Sequence, residues 1–138
     1  MIQEITLIGR LGQDPEMRYT KNGTAVTNFS LATSRKYTSN GEQVEEVTWW
    51  KVTVWRRQAE TCNEFLHKGA MVRVRGRMGG NRVSKGEGKF YIEPNIWTGQ
   101  DGEPRCQFEV NAQHVKFLDY NPDKAQAPQS NGSPEIPF

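Results

Sequence analysis

Cysteine and histidine are scarce in this chain, with two of each in 138 residues. Cys62 and Cys106 form no CxxC pair, and His67 and His114 lack the spacing of metal ligands. A disulfide framework and a zinc site are therefore poor readings; two buried free thiols and two structural histidines are the expectation, with no metal and no cofactor. No apolar run approaches the roughly 20 residues of a membrane span. A strand-like segment, Ile5 to Ile8, begins almost at once, so neither a signal nor a transit peptide is expected, and the location expected is the cytoplasm. No nucleophile–base pair, acidic pair or metal cluster stands out, which argues against an enzyme. A large charge of one sign is missing too, since the formal net charge is only +2. Its distribution says more: residues 1–118 carry 17 Lys/Arg against 13 Asp/Glu, whereas residues 119–138 carry one Lys against three acids. A basic body with a mildly acidic tail results.

What the chain does have is concentrated. Three of its four tryptophans lie between Trp49 and Trp55, interleaved with positive charge. The run from Val47 to Arg57 is β-branched and aromatic without Gly or Pro, and reads as a strand. Alternation puts Trp50, Val52 and Val54 on a core face and Trp49, Lys51, Thr53, Trp55 and Arg57 on the other. A strand tryptophan is most often core material. Here the two valines fix the core side, and a one-residue slip would expose them. Trp49 and Trp55, six residues apart, stand about 20 Å from one another along a strand. That gap is too long to sandwich one base and suits a track for an extended strand, with rings stacking on bases and cations holding phosphates.

Strand-like runs recur near residues 4–11, 25–33, 46–56, 70–78, 89–97 and 105–118, separated by Gly, Asn and Pro turns that include Asp14-Pro15 and Asn40-Gly41. One helix is expected from Gln58 to Lys68, with Ala59, Cys62, Phe65 and Leu66 on its buried face and Gly69 as its C-terminal cap. Three strands, a helix and further strands in so short a chain point to an all-β fold, a small barrel closed by one helix, for which the OB-fold is the leading candidate. The run Met71 to Arg77 repeats the two-face pattern: Val72, Val74 and Gly76 point one way, Arg73, Arg75 and Arg77 the other. Three arginines on one face are either a solvated edge or phosphate contacts, and the two readings weigh about equally. Lys85-Gly86-Glu87-Gly88-Lys89 lacks P-loop spacing and reads as a turn. From Tyr120 to Glu135 no Leu, Ile or Val occurs, so residues 119–138 are expected to be a disordered tail behind a folded domain of residues 1–118. The apolar ending Ile136-Pro137-Phe138 reads as a peptide that docks in a partner's groove.

Leu11-Gly12-Gln13-Asp14-Pro15-Glu16, Arg18-Tyr19, Asn22-Gly23, Ala25-Val26, Leu31-Ala32-Thr33, the stretches Trp49 to Glu60 and Phe65 to Gly69, and the Pro137-Phe138 ending together resemble bacterial single-stranded DNA-binding proteins. The resemblance covers essentially the whole chain. It implies an OB-fold, a five-stranded Greek-key barrel, that assembles as a homo-oligomer, usually a tetramer, and binds single-stranded DNA without sequence preference. It also implies a tail that recruits replication, repair and recombination proteins. Trp49 and Trp55 fall on base-stacking positions of that family, and Tyr37 falls where a tryptophan is common. Trp97 matches a fourth such position if an extra segment from about Val83 to Asn95 is accepted; the alternative puts Val83 there and leaves Trp97 unmatched. The extra segment alternates Phe90 and Ile92 against Tyr91 and Glu93, the pattern of an added hairpin that extends the DNA surface or makes a subunit contact. The tail tip departs from the family, since Ser133-Pro134-Glu135 supplies one carboxylate where several consecutive aspartates are usual. A specialised phage or primosome-type OB protein serving one replication system is the alternative reading.

Overall fold

The computed structural model describes residues 1–119. The expected tail from Tyr120 onward, with Ile136, Pro137 and Phe138, lies outside the described residues. The elements are β1 (Ile5–Leu11), β2 (Glu16–Tyr19), β3 (Ala25–Ser39), β4 (Glu42–Trp55), α1 (Arg56–Phe65), β5 (Met71–Met78), β6 (Asn81–Ser84), β7 (Phe90–Glu93), β8 (Ile96–Thr98), β9 (Pro104–Cys106) and β10 (Phe108–Phe117).

Five strands close a barrel in the order β1-β5-β10-β4-β3, with β3 returning to β1 through Arg10↔Ala32 and Leu11↔Leu31. All these pairs are antiparallel except β4 with β10. This is the expected OB barrel, and closure removes the open edges a short sheet would otherwise present. The alternating valines and leucines read from the sequence fill it: Leu31, Val52, Val54, Val72 and Val74 are fully buried, with Val110, Val115 and Phe117 joining them from β10. α1 covers one end with Ala59 and Cys62, and the buried Thr27 hydroxyl donates to the Ala59 carbonyl at 2.7 Å. That bond satisfies a polar group that burial would otherwise penalise.

Several expectations need correcting. The first hairpin is much longer than the pattern of apolar residues indicated: β3 and β4 stay paired from Val26↔Trp55 out to Ser39↔Glu42, well past the core. Asn40 and Gly41, with φ of 51° and 79°, make the two-residue turn that suits right-twisted strands. β2 is an additional short strand on β3. α1 ends at Phe65, not Lys68, and its C-cap is Leu66 in an extended conformation. Gly69 is therefore not the cap; it lies in the following loop, where its N–H donates to the Leu11 carbonyl at 2.8 Å. Phe65 is half exposed rather than core, resting near Phe117 with ring centroids 6.3 Å apart. Cys62 is buried as expected, but Cys106 is exposed because β9 lies on a small hairpin outside the barrel.

The Asp14-Pro15 turn has a structural task. Asp14 accepts the Lys68 N–H at 2.7 Å and so ties the β1–β2 turn to the loop after the helix. Asp119 closes the described chain by accepting the Met71 N–H at 2.8 Å and pairing with Arg10 at 3.3 Å. The segment between β5 and β10 forms two small hairpins, β6–β7 and β8–β9, each its own two-stranded sheet. The first is the added hairpin expected from the alternation around residues 83–95.

Candidate nucleic-acid interface

β4 splits its side chains as its sequence dictates. On the inner face Val52 and Val54 are fully buried, and Trp50 is half-buried against the core. The Trp50 ring lies 5.2 Å from Phe108, and its indole N–H donates to the Thr33 hydroxyl at 2.9 Å. A buried tryptophan needs such a partner for its one polar atom. On the outer face Trp49 is 54% exposed and Trp55 45% exposed, with Lys51 and Thr53 between them. Thr53 is held by a 2.9 Å hydrogen bond to Asn28 on β3. Two half-exposed rings, separated by a cation and a hydroxyl on one strand, have the arrangement that a stacking track requires.

Two residues of this track were not anticipated. Gly12 lies under Trp49: a Cβ there would fall 2.5 Å from the ring. The β1–β2 turn thus backs one side of the indole because its residue has no side chain, and the sequence signal for this was the glycine directly after the strand. Glu109 is the second. It stands opposite Lys51 in register and its carboxylate pairs with the ammonium at 3.5 Å, with only 12% of its side chain exposed. Nothing local in the sequence announces that pair, because β10 meets β4 only through barrel closure.

Arg57 does not share the strand face expected of it. β4 ends at Trp55, Arg56 takes φ of 61°, and Arg57 belongs to the first turn of α1, where its carbonyl accepts the Thr61 hydroxyl at 3.1 Å. A residue in the left-handed region breaks the two-residue alternation on which the expectation rested.

The arginines of β5 all point outward, yet they divide between two parts of the surface. Arg77 stands opposite Asn111, which stands opposite Thr53, so one row across three strands joins Arg77 to the track. Arg75 and Arg73 stand opposite His114 and Lys116 on β10, past the last residue paired with β4, and opposite Thr6 and Ile8 on β1. Arg75 also approaches Glu4 at 4.0 Å. Those two arginines lie farther round the barrel. His114 has its Nδ1 buried without a hydrogen-bond partner among the described residues.

Tyr37 lies on the arm of the β3–β4 hairpin. Uninterrupted pairing puts it on the strand face of Leu31 and Trp50, opposite to the face of Trp49. Its hydroxyl donates to Glu46 at 3.2 Å, the Arg35 guanidinium lies 4.9 Å from its ring centre, and Arg35 pairs with Glu46 at 3.0 Å. Trp97 is 40% exposed on β8, opposite Arg105 of β9. Arg105 is held at 2.7 Å by Asp101, whose carboxyl is kept below its usual value by the Glu103 N–H and then by Arg105 itself. Val83, the alternative to Trp97, lies on β6 opposite Tyr91. Trp97 and Val83 are thus on different hairpins. Among the described residues no group of three or more His, Cys, Asp or Glu side chains is placed to hold a metal, and no helix is long and apolar enough to cross a membrane.

Comparison with known proteins gives the family and the fold. The model of the Single-strand binding protein family matches residues 2–118. The "Single-stranded DNA-binding protein" of Neisseria meningitidis serogroup A is 36% identical over 133 residues, which are 95% of this chain and 68% of that protein. The protein of the same name from Halalkalibacterium halodurans is 34% identical over 143 residues, covering all of this chain and 76% of its own. Among solved structures, "Plasmodium falciparum SSB complex with ssDNA" superposes with a TM-score of 0.65 at 24% identity, covering 86% of this chain and 97% of that one, and shares the fold.

Proposed function

This chain belongs to the single-strand binding protein family, and on that premise we propose that it binds and protects single-stranded DNA without catalysis and largely without sequence preference. The observation that carries this reading is the outer face of β4, where Trp49 and Trp55 stay open to solvent on a strand whose other face is core. Bases stack on the two rings, Lys51 and Arg77 neutralise phosphates, and Thr53 and Asn111 line the row between them. Stacking is indifferent to base identity because every base has a π-face. Tyr37 on its arm and Trp97 on its hairpin offer further rings away from the β4 face, while Arg73, Arg75 and Arg57 add positive potential farther out.

The protein acts as a homo-oligomer, a tetramer. Ile136-Pro137-Phe138 recruits replication, repair and recombination proteins in the bacterial cytoplasm. Support for both comes from the family membership; the exposed Ile8 on the outer face of β1 suits a subunit contact as well.

The test is a tryptophan-fluorescence titration with poly-dT at several salt concentrations. Quenching on DNA addition is expected, with affinity falling as salt rises because each neutralised phosphate releases counterion. Trp55→Ala weakens binding about fivefold or more per subunit, from roughly 1–3 kcal/mol per stacked base. No quenching and an unchanged affinity in the variant would overturn the reading.

A further inference from the structure

The β6–β7 hairpin has no part in the path above. It leaves the barrel at Gly79, whose N–H donates to the Glu109 carbonyl at 2.7 Å. Glu109 is the residue opposite Lys51, so the hairpin is rooted beside the Trp49–Trp55 face of β4. Its two strands pack on each other, and no barrel strand or helix makes more than marginal contact with them. All four residues of β7 are exposed, including Phe90, Tyr91 and Ile92. A free two-stranded hairpin is marginal in water, so apolar area left open on one calls for an occupant.

The charges around the rings indicate which occupant. Arg82 lies 3.7 Å from the centre of the Phe90 ring and so already occupies that ring. Tyr91 is different: Lys85 and Lys89, from the two ends of the turn, stand 5.7 and 5.5 Å from its centre, and Lys85 is shared with Glu93 at 3.7 Å. The buried centre of a protein–protein contact is depleted in lysine. Tyr91 is 45% exposed and its two ammonium groups stand farther off than the 3.7 Å of Arg82 from Phe90, so a base can take the ring while the lysines turn to the phosphates on either side of it.

We propose that the β6–β7 hairpin is an additional contact for single-stranded DNA, in which a nucleotide beyond the β4 track stacks on Tyr91 and its flanking phosphates are neutralised by Lys85 and Lys89. This rests on the function proposed above and enlarges the DNA surface of each subunit by one built site.

The experiment compares the full chain with Tyr91→Ala, Tyr91→Phe, the double variant Lys85→Gln/Lys89→Gln, and Trp55→Ala as a control, by poly-dT titration and light scattering. Tyr91→Ala is expected to lose about fivefold or more in affinity and Tyr91→Phe to retain it. The double lysine variant is expected to flatten the salt dependence by about 1.4 in slope, for two single-strand phosphates. The proposal is overturned if the hairpin variants match the wild type while Trp55→Ala is weakened, an outcome that leaves the function itself standing. It is equally overturned if Tyr91→Ala changes the oligomeric state with affinity per subunit unchanged, which would assign the hairpin to a subunit contact. Failure of the wild type to bind poly-dT removes both.

Discussion

Trp49 and Lys51 show how much a single side chain's surroundings decide. Trp49 owes its fixed position to the missing side chain of Gly12, which lets the ring rest on the β1–β2 turn. Lys51, by contrast, is not a free cation: Glu109 competes with any phosphate for it. Glu109→Gln removes the competitor and leaves a neutral partner of similar shape. DNA binding is expected to tighten and its salt dependence to steepen by about one phosphate, roughly 0.7 in slope. A weaker or unchanged affinity in the titration would show that the carboxylate instead holds Lys51 in place. The two cysteines give a second residue-level prediction. Burial pushes the Cys62 thiol from 9.0 up to about 12, whereas Cys106 is exposed. At pH 8 a thiol reagent should therefore modify Cys106 alone in the native protein, and both after denaturation. Below pH 9 the Cys62 thiol is neutral folded or unfolded; between 9 and about 12 only the unfolded chain ionises, so stability falls as pH rises through that window.

At the scale of the element, the long β3–β4 hairpin is the part whose extent the sequence hid. Beyond Thr33 and Thr48 the arm has no core to bury, so apart from Tyr37, Val44 and Val47 its residues are polar and the period-two pattern fades. Cross-strand pairs hold it instead, Arg35 with Glu46 at 3.0 Å and Lys36 with Glu45 at 3.8 Å. Exposed pairs of that kind contribute little, so the turn carries much of the arm's order. Gly41→Val puts a β-branched residue at φ 79°. It is expected to raise amide exchange between Arg35 and Glu46 while leaving the exchange of Val52 and Val72 unchanged, because the barrel does not depend on the arm. Protection retained along the arm would show that the ion pairs suffice. The end of β4 is hidden for a related reason: Val47 to Arg57 is uniformly strand-like in composition, yet the strand stops at Trp55 and Arg56 takes a positive φ. Propensity does not register a single backbone angle.

On the scale of the whole molecule, barrel closure gathers what the chain disperses. β4 and β10 are separated by the helix, β5 and both small hairpins, yet their pairing sets Glu109 beside Lys51 and Asn111 beside Thr53. It also divides the three arginines of β5, which the sequence shows as one stripe, between the track and the β1 side. The tail belongs to this scale too. Deleting Ile136 to Phe138 is expected to spare poly-dT affinity and to abolish capture of partner proteins by the immobilised protein. Loss of DNA affinity on the same deletion would refute the docking role.

The sequence by itself determined the core face of β4 and the open face that carries Trp49 and Trp55, which follow from two-residue alternation, and it pointed to an all-β fold and to an extra segment near residues 83–95. The family was legible as well, in motifs spread along the chain. Only the tertiary structure decided that Glu109 engages Lys51, that Arg77 joins the track while Arg73 and Arg75 do not, that Arg57 leaves the strand, and that Tyr37 faces away from Trp49. Alternation along one strand fixes which side a residue takes, but which residue of another strand stands beside it depends on register and closure. Those are set by the packing of the entire core.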